Sequence, residues 1–137
     1  MEPANRVVEP PVIYLAVDEP DDHYRYRQAF GEADPSAVLY FFINSAELIS
    51  ALRGYVYPKP ALLLMDCDMD SFKGYDTLTA LARTTAWQTI PVVIMSTLNH
   101  PVDEARCQQI GYGLVLSGET GHDKLVAQLT GLMAALL

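Results

Sequence analysis

Five short, almost entirely apolar runs are the feature that most constrains the fold of this 137-residue chain. They lie at residues 12–17, 37–43, 61–66, 90–96 and 113–116. Each has the length of a β-strand and lacks the polar–apolar alternation of a strand with one solvated face. Runs of this kind are typical of parallel strands that are covered by helices on both faces. The pattern therefore predicts an α/β domain with a parallel sheet at its centre.

Helical signals fill the first two gaps between these runs. The first gap carries an amphipathic stripe, with acidic residues 21 and 22 at the end where a helix dipole favours them, and its apolar members are Tyr26, Ala29, Phe30 and Ala33. In the second gap, Asn44 can cap a helix and Glu47 is its capping-box partner. Gly54 suits the C′ position that closes this second helix.

Three further helices are predicted in the second half of the chain. One follows Gly74, and Pro101 fits the first position of the next, which Gly111 closes. Thr120 can cap the last helix, whose apolar stripe is Leu125, Leu129, Leu132, Met133 and Leu136. Right-handed crossovers between parallel strands then give a single doubly wound domain. We expect this domain to span residues 11–137 after a flexible tail at 1–10.

Composition excludes several classes of function. A formal charge of −8, with only nine Lys and Arg, disfavours direct binding to nucleic acid. No apolar run approaches the roughly 20 residues that span a bilayer, and the start resembles no signal peptide, so we expect a cytoplasmic protein. Cys67 and Cys107 match no zinc spacing and are expected to be reduced thiols, buried or inert. The three histidines, in separate segments, are expected at the surface or in loops.

Acidic and hydroxyl residues follow the predicted strands at the points where they end. They are Asp18 and Glu19, Asp66 and Asp68, Ser96 and Thr97, and Ser117. The carboxyl ends of parallel strands share one edge of the sheet, and that is where sites form in such folds. Clustered carboxylates repel one another unless a cation lies among them, and Mg²⁺ suits oxygen ligands. A carboxylate beside Mg²⁺ can also attack a phosphoryl group.

Three segments resemble the receiver domains of two-component response regulators, the CheY-like family, and in particular its small stand-alone group. They are "VDEPDDHYRYRQAF", "LLLMDCDMDSFKGYD" and "IPVVIMST", and the resemblance extends over Val12–Leu137. It implies the strand order 2-1-3-4-5. It also implies that Asp66 is the phosphoacceptor and that Ser96 is the switch hydroxyl, with Thr97 in the small-residue position after it. The metal ligands that it implies are Asp18, Asp66, the main-chain carbonyl of Asp68 and, as a partial substitute, Glu19.

The chain departs from the family pattern at several of these positions. Val17 stands at the first position of the acidic pair, Asp70 replaces a proline, and Lys73 replaces an acidic residue. The lysine–proline pair of the fifth strand is missing, because the aligned residues are Gly118 and Glu119, or Ser117 and Gly118 after a shift of one. A charge-assisted bond from that lysine to the phosphoryl group would contribute roughly 1.5–3 kcal/mol.

The resemblance implies a stand-alone response regulator in a phosphorelay, not an enzyme, with Mg²⁺ as cofactor. A histidine kinase or phosphotransfer protein would supply the phosphoryl group. Signalling would go through protein–protein contacts, with a homodimer through the helix 4–strand 5–helix 5 face as one option. The alternative is a pseudo-receiver that binds partners without being phosphorylated.

Two other classes of protein share parts of the pattern. A phosphatase of the haloacid-dehalogenase type also has a strand-end DxD motif, but on its first strand and with a later lysine and acidic pair. A flavodoxin-like carrier needs a phosphate cradle after the first strand, where this chain has "DEPDD".

Overall fold

The computed structural model describes residues 9–54, 56–66, 74–96, 101–117 and 121–137. Five strands and five helices alternate through these ranges, and the strands form one parallel sheet in the order β2-β1-β3-β4-β5. The elements are β1 Val12–Ala16, α1 Pro20–Ala33, β2 Val38–Phe42, α2 Ser45–Arg53, β3 Leu62–Asp66, α3 Gly74–Arg83, β4 Val92–Ser96, α4 Glu104–Ile110, β5 Val115–Ser117 and α5 His122–Leu136. The predicted doubly wound fold and its strand order are confirmed.

The central strand β3 lies within the apolar run at residues 61–66, and its first four side chains are apolar because both faces of the strand are buried. Leu62, Leu63, Leu64 and Met65 are each fully buried, because both faces of the sheet are covered. β3 pairs with β1 on one side and β4 on the other. Burying a leucine side chain completely stabilises a fold by about 1.5–3 kcal/mol. This strand is therefore the centre of the hydrophobic core.

The helices form two groups. α1 packs against α5, and Glu32 of α1 pairs with His122 at the start of α5. In the other group, the Ser45 hydroxyl of α2 lies 2.8 Å from the Thr77 hydroxyl of α3. The Tyr75 hydroxyl of α3 accepts a 2.9 Å hydrogen bond from the Asp103 N–H at the start of α4. The grouping is the one expected when right-handed crossovers cover both faces of a sheet.

One of the two hydrogen bonds of the predicted capping box of α2 is confirmed. The Asn44 side-chain oxygen accepts from the Glu47 N–H at 2.8 Å. The Glu47 carboxylate accepts from the Ile43 N–H at 3.0 Å, one residue earlier than in the standard capping box. Gly54 closes this helix as predicted, but as its C-cap in an extended conformation with φ −84°, not as the C′ residue.

Two other helix starts differ from the predictions. α4 begins at Glu104, because the Asp103 side chain caps it through a 3.0 Å bond from the Arg106 N–H; Pro101 therefore lies before the helix. Gly111 ends α4 with φ 127°, as predicted. The N-cap of α5 is Gly121, and the predicted cap Thr120 lies outside the described residues. Strand β5 begins at Val115, two residues later than predicted.

Within the described ranges, no helix is both long and apolar enough to cross a membrane.

Cys107 is fully buried in α4, and burial raises the pKa of its thiol. His122 is exposed as expected, whereas His23 is half-buried within α1. Cys67, His100 and residues 1–8 of the predicted tail lie outside the described residues.

Candidate functional site

Asp66 is the last residue of β3 and lies at the carboxyl edge of the sheet. Four fully buried residues precede it, and its own side chain is half-buried. It lies level with Met95 of β4. A carboxylate at this position marks the point where the buried strand emerges into the edge that hosts sites in parallel sheets.

The end of β1 brings a second carboxylate to the same edge. β1 and β3 pair with Ala16 level with Met65, so continuing that register by one residue places Val17 level with Asp66. Val17 is only 2% exposed, and its N–H donates to the Phe42 carbonyl at 3.1 Å. Asp18 follows it and is half-buried. The position nearest to Asp66 along β1 is therefore apolar, and the acidic residue comes one step later.

Helix α1 starts immediately beyond these residues. Glu19 is its exposed N-cap and makes no side-chain capping bond, and Pro20 occupies its first turn. The His23 ring nitrogen donates to the Val17 carbonyl at 2.5 Å, and its ring stacks 4.5 Å from Phe41. Histidine in the first turn of the helix therefore fastens α1 to the end of β1.

Ser96 ends β4, beside Asp66 along the sheet. Its half-buried hydroxyl oxygen accepts a hydrogen bond from the Val102 N–H at 3.0 Å. A hydroxyl that accepts one bond can still donate its own proton to another group. Ser117 of β5 lies level with Ser96 and is exposed. The Ser96 hydroxyl thus links the sheet edge to the segment that leads into α4.

Tyr26 of α1 is a site neighbour that the sequence did not identify. Its side chain is 2% exposed, and burial raises the pKa of its phenol. Nearby Arg25 lowers that pKa, whereas the carboxylates of Asp22 and Asp66 raise it further. The Tyr26 phenol therefore lies within electrostatic range of the candidate acceptor. A tyrosine within the apolar stripe of a helix was the available signal, since a buried phenol usually needs a polar partner.

Arg25 brings a cation to the same region. Its guanidinium lies 3.5 Å from the Asp22 carboxylate and 5.4 Å from the centre of the Tyr26 ring. Positive charge near the amino end of α1 offsets part of the acidity of the "DEPDD" loop. Arg25 thus contacts both the Asp22 carboxylate and the neutral Tyr26 ring.

Strand topology thus brings Asp18, Asp66 and Ser96 to one edge, with Glu19 at its exposed rim. Several of the predicted site positions lie outside the described residues, namely Asp68, Asp70, Lys73, Thr97, Gly118 and Glu119. Among the residues that are described, no three His, Cys, Asp or Glu side chains are grouped closely enough to hold a metal ion. Two strand-end carboxylates nonetheless fit Mg²⁺, which takes one or two carboxylates and fills its other positions with water.

Comparisons of the sequence alone found no relatives. No protein-family model matches the chain, and no curated protein matches it. Assignment to a family of folds therefore depends on comparison of structures.

Solved structures similar to this chain include response regulators and the receiver domains of histidine kinases. One, from red-light signalling in R. palustris, is 20% identical, with a TM-score of 0.78 over 89% of this chain and 90% of the other. The phosphorylated cyanobacterial phytochrome response regulator RcpA is 18% identical, with a TM-score of 0.80 over 93% and 94% of the two chains. A Mn²⁺-bound response regulator is 19% identical, with a TM-score of 0.77 over 91% and 93%. The chain therefore has the fold of a CheY-like response-regulator receiver domain.

Proposed function

We propose that this protein is a stand-alone response-regulator receiver, a cytoplasmic signalling protein without enzymatic activity of its own. Asp66 accepts a phosphoryl group from a histidine kinase or a phosphotransfer protein. The single observation that supports this most strongly is the position of Asp66. It is a half-buried carboxylate at the end of the central strand, between Asp18, which follows β1, and Ser96, which ends β4.

The chemistry of the transfer needs few protein groups. An Asp66 carboxylate oxygen attacks phosphorus, the bond from phosphorus to the donor nitrogen breaks, and an acyl phosphate forms. The Ser96 hydroxyl is suited to donate to a phosphoryl oxygen, since its oxygen already accepts from Val102. The buried Tyr26 phenol lies within electrostatic range of the Asp66 carboxylate and is a candidate neighbour of the acceptor.

Mg²⁺ is the proposed cofactor, and Asp18 and Asp66 are the described side chains that would hold it. Glu19 and the main-chain carbonyl of Asp68 are further candidate ligands. When bound, the ion would neutralise charge on the phosphoryl group during transfer. Support comes from the hard-oxygen donor set of this edge and from the similar response regulator that is described as Mn²⁺-bound.

The output of the proposed receiver is a change in protein–protein contacts. The Ser96–Val102 hydrogen bond supports this, because it connects the acceptor edge to the start of α4. Moving the serine toward a phosphoryl group would weaken that bond and alter the α4–β5–α5 surface. A homodimer through this surface is one form of the output. Half-buried Val115 occupies the β5 position where the resemblance implies an aromatic switch residue.

A pseudo-receiver that is never phosphorylated is the second candidate function. Two observations favour it: the apolar, buried Val17 beside Asp66, and the absence of a lysine at residues 117–119. Without that lysine, a near-dianionic phosphoryl group enters an acidic chain with less compensation. A phosphatase of the DxD type is not supported, because Asp66 ends the third strand of the chain.

Phosphorylation by a small-molecule donor separates the two candidates. The chain is incubated with Mg²⁺ and acetyl phosphate, and its intact mass is then measured. We expect a gain of one phosphoryl group that disappears in Asp66→Asn. Asp76→Asn, which removes an exposed carboxylate from the first turn of α3, is the matched control and should still gain the group.

Metal binding provides the second measurement. Mg²⁺ should raise the melting temperature of the native chain and of Asp76→Asn more than that of Asp66→Asn. If the mass does not change at high donor concentration and Mg²⁺ does not bind, the protein is a pseudo-receiver. A mass gain that persists in Asp66→Asn would place the acceptor elsewhere.

A further inference from the structure

A large pocket opens at the end of the sheet opposite to Asp66. It has a volume of about 1010 Å³ and lies between the end of α2, the loop that leads into β3 and the turn after α3. We call it the amino-edge pocket, and its main lining residues are Leu52, Arg53, Tyr57, Lys59, Trp87 and Ile90. Ligand sites typically have volumes of roughly 300–1,000 Å³, so the pocket has the size of a small-molecule site.

Aromatic side chains hold one wall of the amino-edge pocket in place. Tyr14 of β1 is 1% exposed and donates its hydroxyl proton to the Pro58 carbonyl at 2.6 Å. Tyr57 packs edge-on against Tyr40 and Phe42, with ring centres 5.2 and 5.7 Å away. The loop before β3 is therefore fastened to the sheet. A fixed wall lowers the entropic cost of binding, because it does not need to be ordered by a ligand.

The opposite wall is the turn that carries Trp87. The main-chain N–H of Trp87 donates to the Thr84 carbonyl at 2.9 Å, and the main-chain carbonyl of Trp87 accepts from the Ile90 N–H at 3.1 Å. Trp87 is 7% exposed, so most of its surface is already packed. Proline lines the pocket at residues 58, 60 and 91 and contributes no N–H donors. The walls are thus chiefly apolar, with few groups to recognise a polar ligand.

Charge is the exception to this apolar lining. Arg53 and Lys59 both line the pocket, and both side chains are exposed. None of the described lining residues is Asp or Glu, although the chain has 17 of them. A surface with two cations in a chain of net charge −8 is locally complementary to an anion.

We propose that the amino-edge pocket binds a small organic anion with an aromatic or otherwise apolar body. The body lies between Trp87 and Tyr57, and the anionic group faces Arg53 and Lys59. This site is separate from the proposed phosphorylation of Asp66, because β3 lies between the two. Ala61 lines the pocket directly before β3, and Asp66 ends that strand. At about 3.3 Å per residue, the two positions are about 16 Å apart.

The test uses 1-anilinonaphthalene-8-sulfonate, a fluorescent aromatic anion. Trp87 is the single tryptophan of the chain and lines the pocket, so a probe bound there lies within energy-transfer range of the only tryptophan donor, and the variants below assign the binding to the pocket. We expect saturable binding of one probe per chain, quenching of Trp87 emission and an increase in melting temperature. The double variant Arg53→Gln, Lys59→Gln should bind at least about tenfold more weakly, since two charge-assisted contacts are lost.

Two controls separate the pocket from general charge or loosened structure. Arg106→Gln, Lys124→Gln removes two exposed cations outside the pocket and should leave affinity within about twofold. N-phenyl-1-naphthylamine, which has the same rings without the sulfonate, should bind more weakly and be insensitive to the Arg53 and Lys59 changes. Equal weakening by both double variants, or equal affinity for both probes, would overturn the proposal. A decrease in melting temperature with the probe would also overturn it.

Discussion

Removal of the Ser96 hydroxyl tests whether this side chain holds the start of α4. In the native chain the hydroxyl oxygen accepts from the Val102 N–H at 3.0 Å, and both residues are half-buried. Ser96→Ala leaves that N–H without its partner. A neutral hydrogen bond of this kind contributes about 1 kcal/mol net, which is about a fivefold change in a local opening equilibrium.

Amide hydrogen exchange observed by NMR measures this change at one atom. In Ser96→Ala the Val102 amide should exchange about fivefold faster than in the native chain, whereas amides of the central strand change only with global stability. Urea unfolding should show a loss of about 1 kcal/mol. Ser96→Thr is the matched control, because it keeps the hydroxyl and adds a methyl group that β-strands tolerate well.

Equally fast exchange of the Val102 amide in the native chain and in Ser96→Ala would refute the role of the Ser96 hydroxyl. The hydroxyl would then not be the acceptor, and the link from the sheet edge to α4 would have no structural basis. Faster exchange in Ser96→Thr than in Ser96→Ala would contradict it as well, since the threonine retains the acceptor oxygen.

Three further predictions concern the remainder of the fold. Asn44→Ala should lower the free energy of unfolding by about 1 kcal/mol in urea titrations, because the Glu47 N–H loses its capping acceptor. Burial, reinforced by two neighbouring tyrosines, raises the pKa of Tyr14 from 10.0 to about 12. Its contribution to stability is therefore complete below pH 10 and falls as the pH rises toward 12, and this alkaline loss should be smaller in Tyr14→Phe. In a Cys67→Ser background, Cys107 should react with a thiol reagent only as fast as the chain unfolds, since it is fully buried.

The fold could be predicted because burial on both faces of a sheet leaves a direct mark on sequence. Leu62, Leu63 and Leu64 are apolar without interruption because neither face of β3 meets water. Strand and helix ends were less predictable. Pro101 suits a first helical turn, but the Asp103 side chain is the cap that starts α4. Competing helix starts three residues apart, at Pro101 and Glu104, differ by contacts that only the folded chain determines.

The candidate site could be predicted in part for a similar reason. Parallel strands bring their carboxyl ends to one edge, so Asp18, Asp66 and Ser96 were expected to be neighbours. The roles of Val102 and Tyr26 could not be predicted. Val102 supplies a backbone N–H, which carries no sequence signal. Tyr26 was assigned to the apolar face of α1, and its proximity to Asp66 depends on how the helix packs against the strand.

Val17→Asp tests whether the apolar residue beside Asp66 limits metal binding. Val17 is 2% exposed, so the change removes a buried side chain and places a third carboxylate near Asp18 and Asp66. Without divalent ions we expect a loss of about 3 kcal/mol or more, from lost apolar burial and repulsion between carboxylates. Mg²⁺ at about 100 times its dissociation constant would restore about 2.7 kcal/mol. The added carboxylate should lower the dissociation constant for Mg²⁺, so at one fixed Mg²⁺ concentration the variant should gain more stability than the native chain does, as measured by urea unfolding.

Val17→Asn separates charge from packing in this experiment. The amide has nearly the same shape as the carboxylate and loses the same apolar contacts, but it adds no negative charge. If Val17→Asn gains as much stability from Mg²⁺ as Val17→Asp does, the ion does not bind the introduced carboxylate. If neither variant responds more strongly than the native chain, residue 17 does not face the metal position at all. A response confined to Val17→Asp would show that the edge has the geometry of a metal site and lacks one ligand.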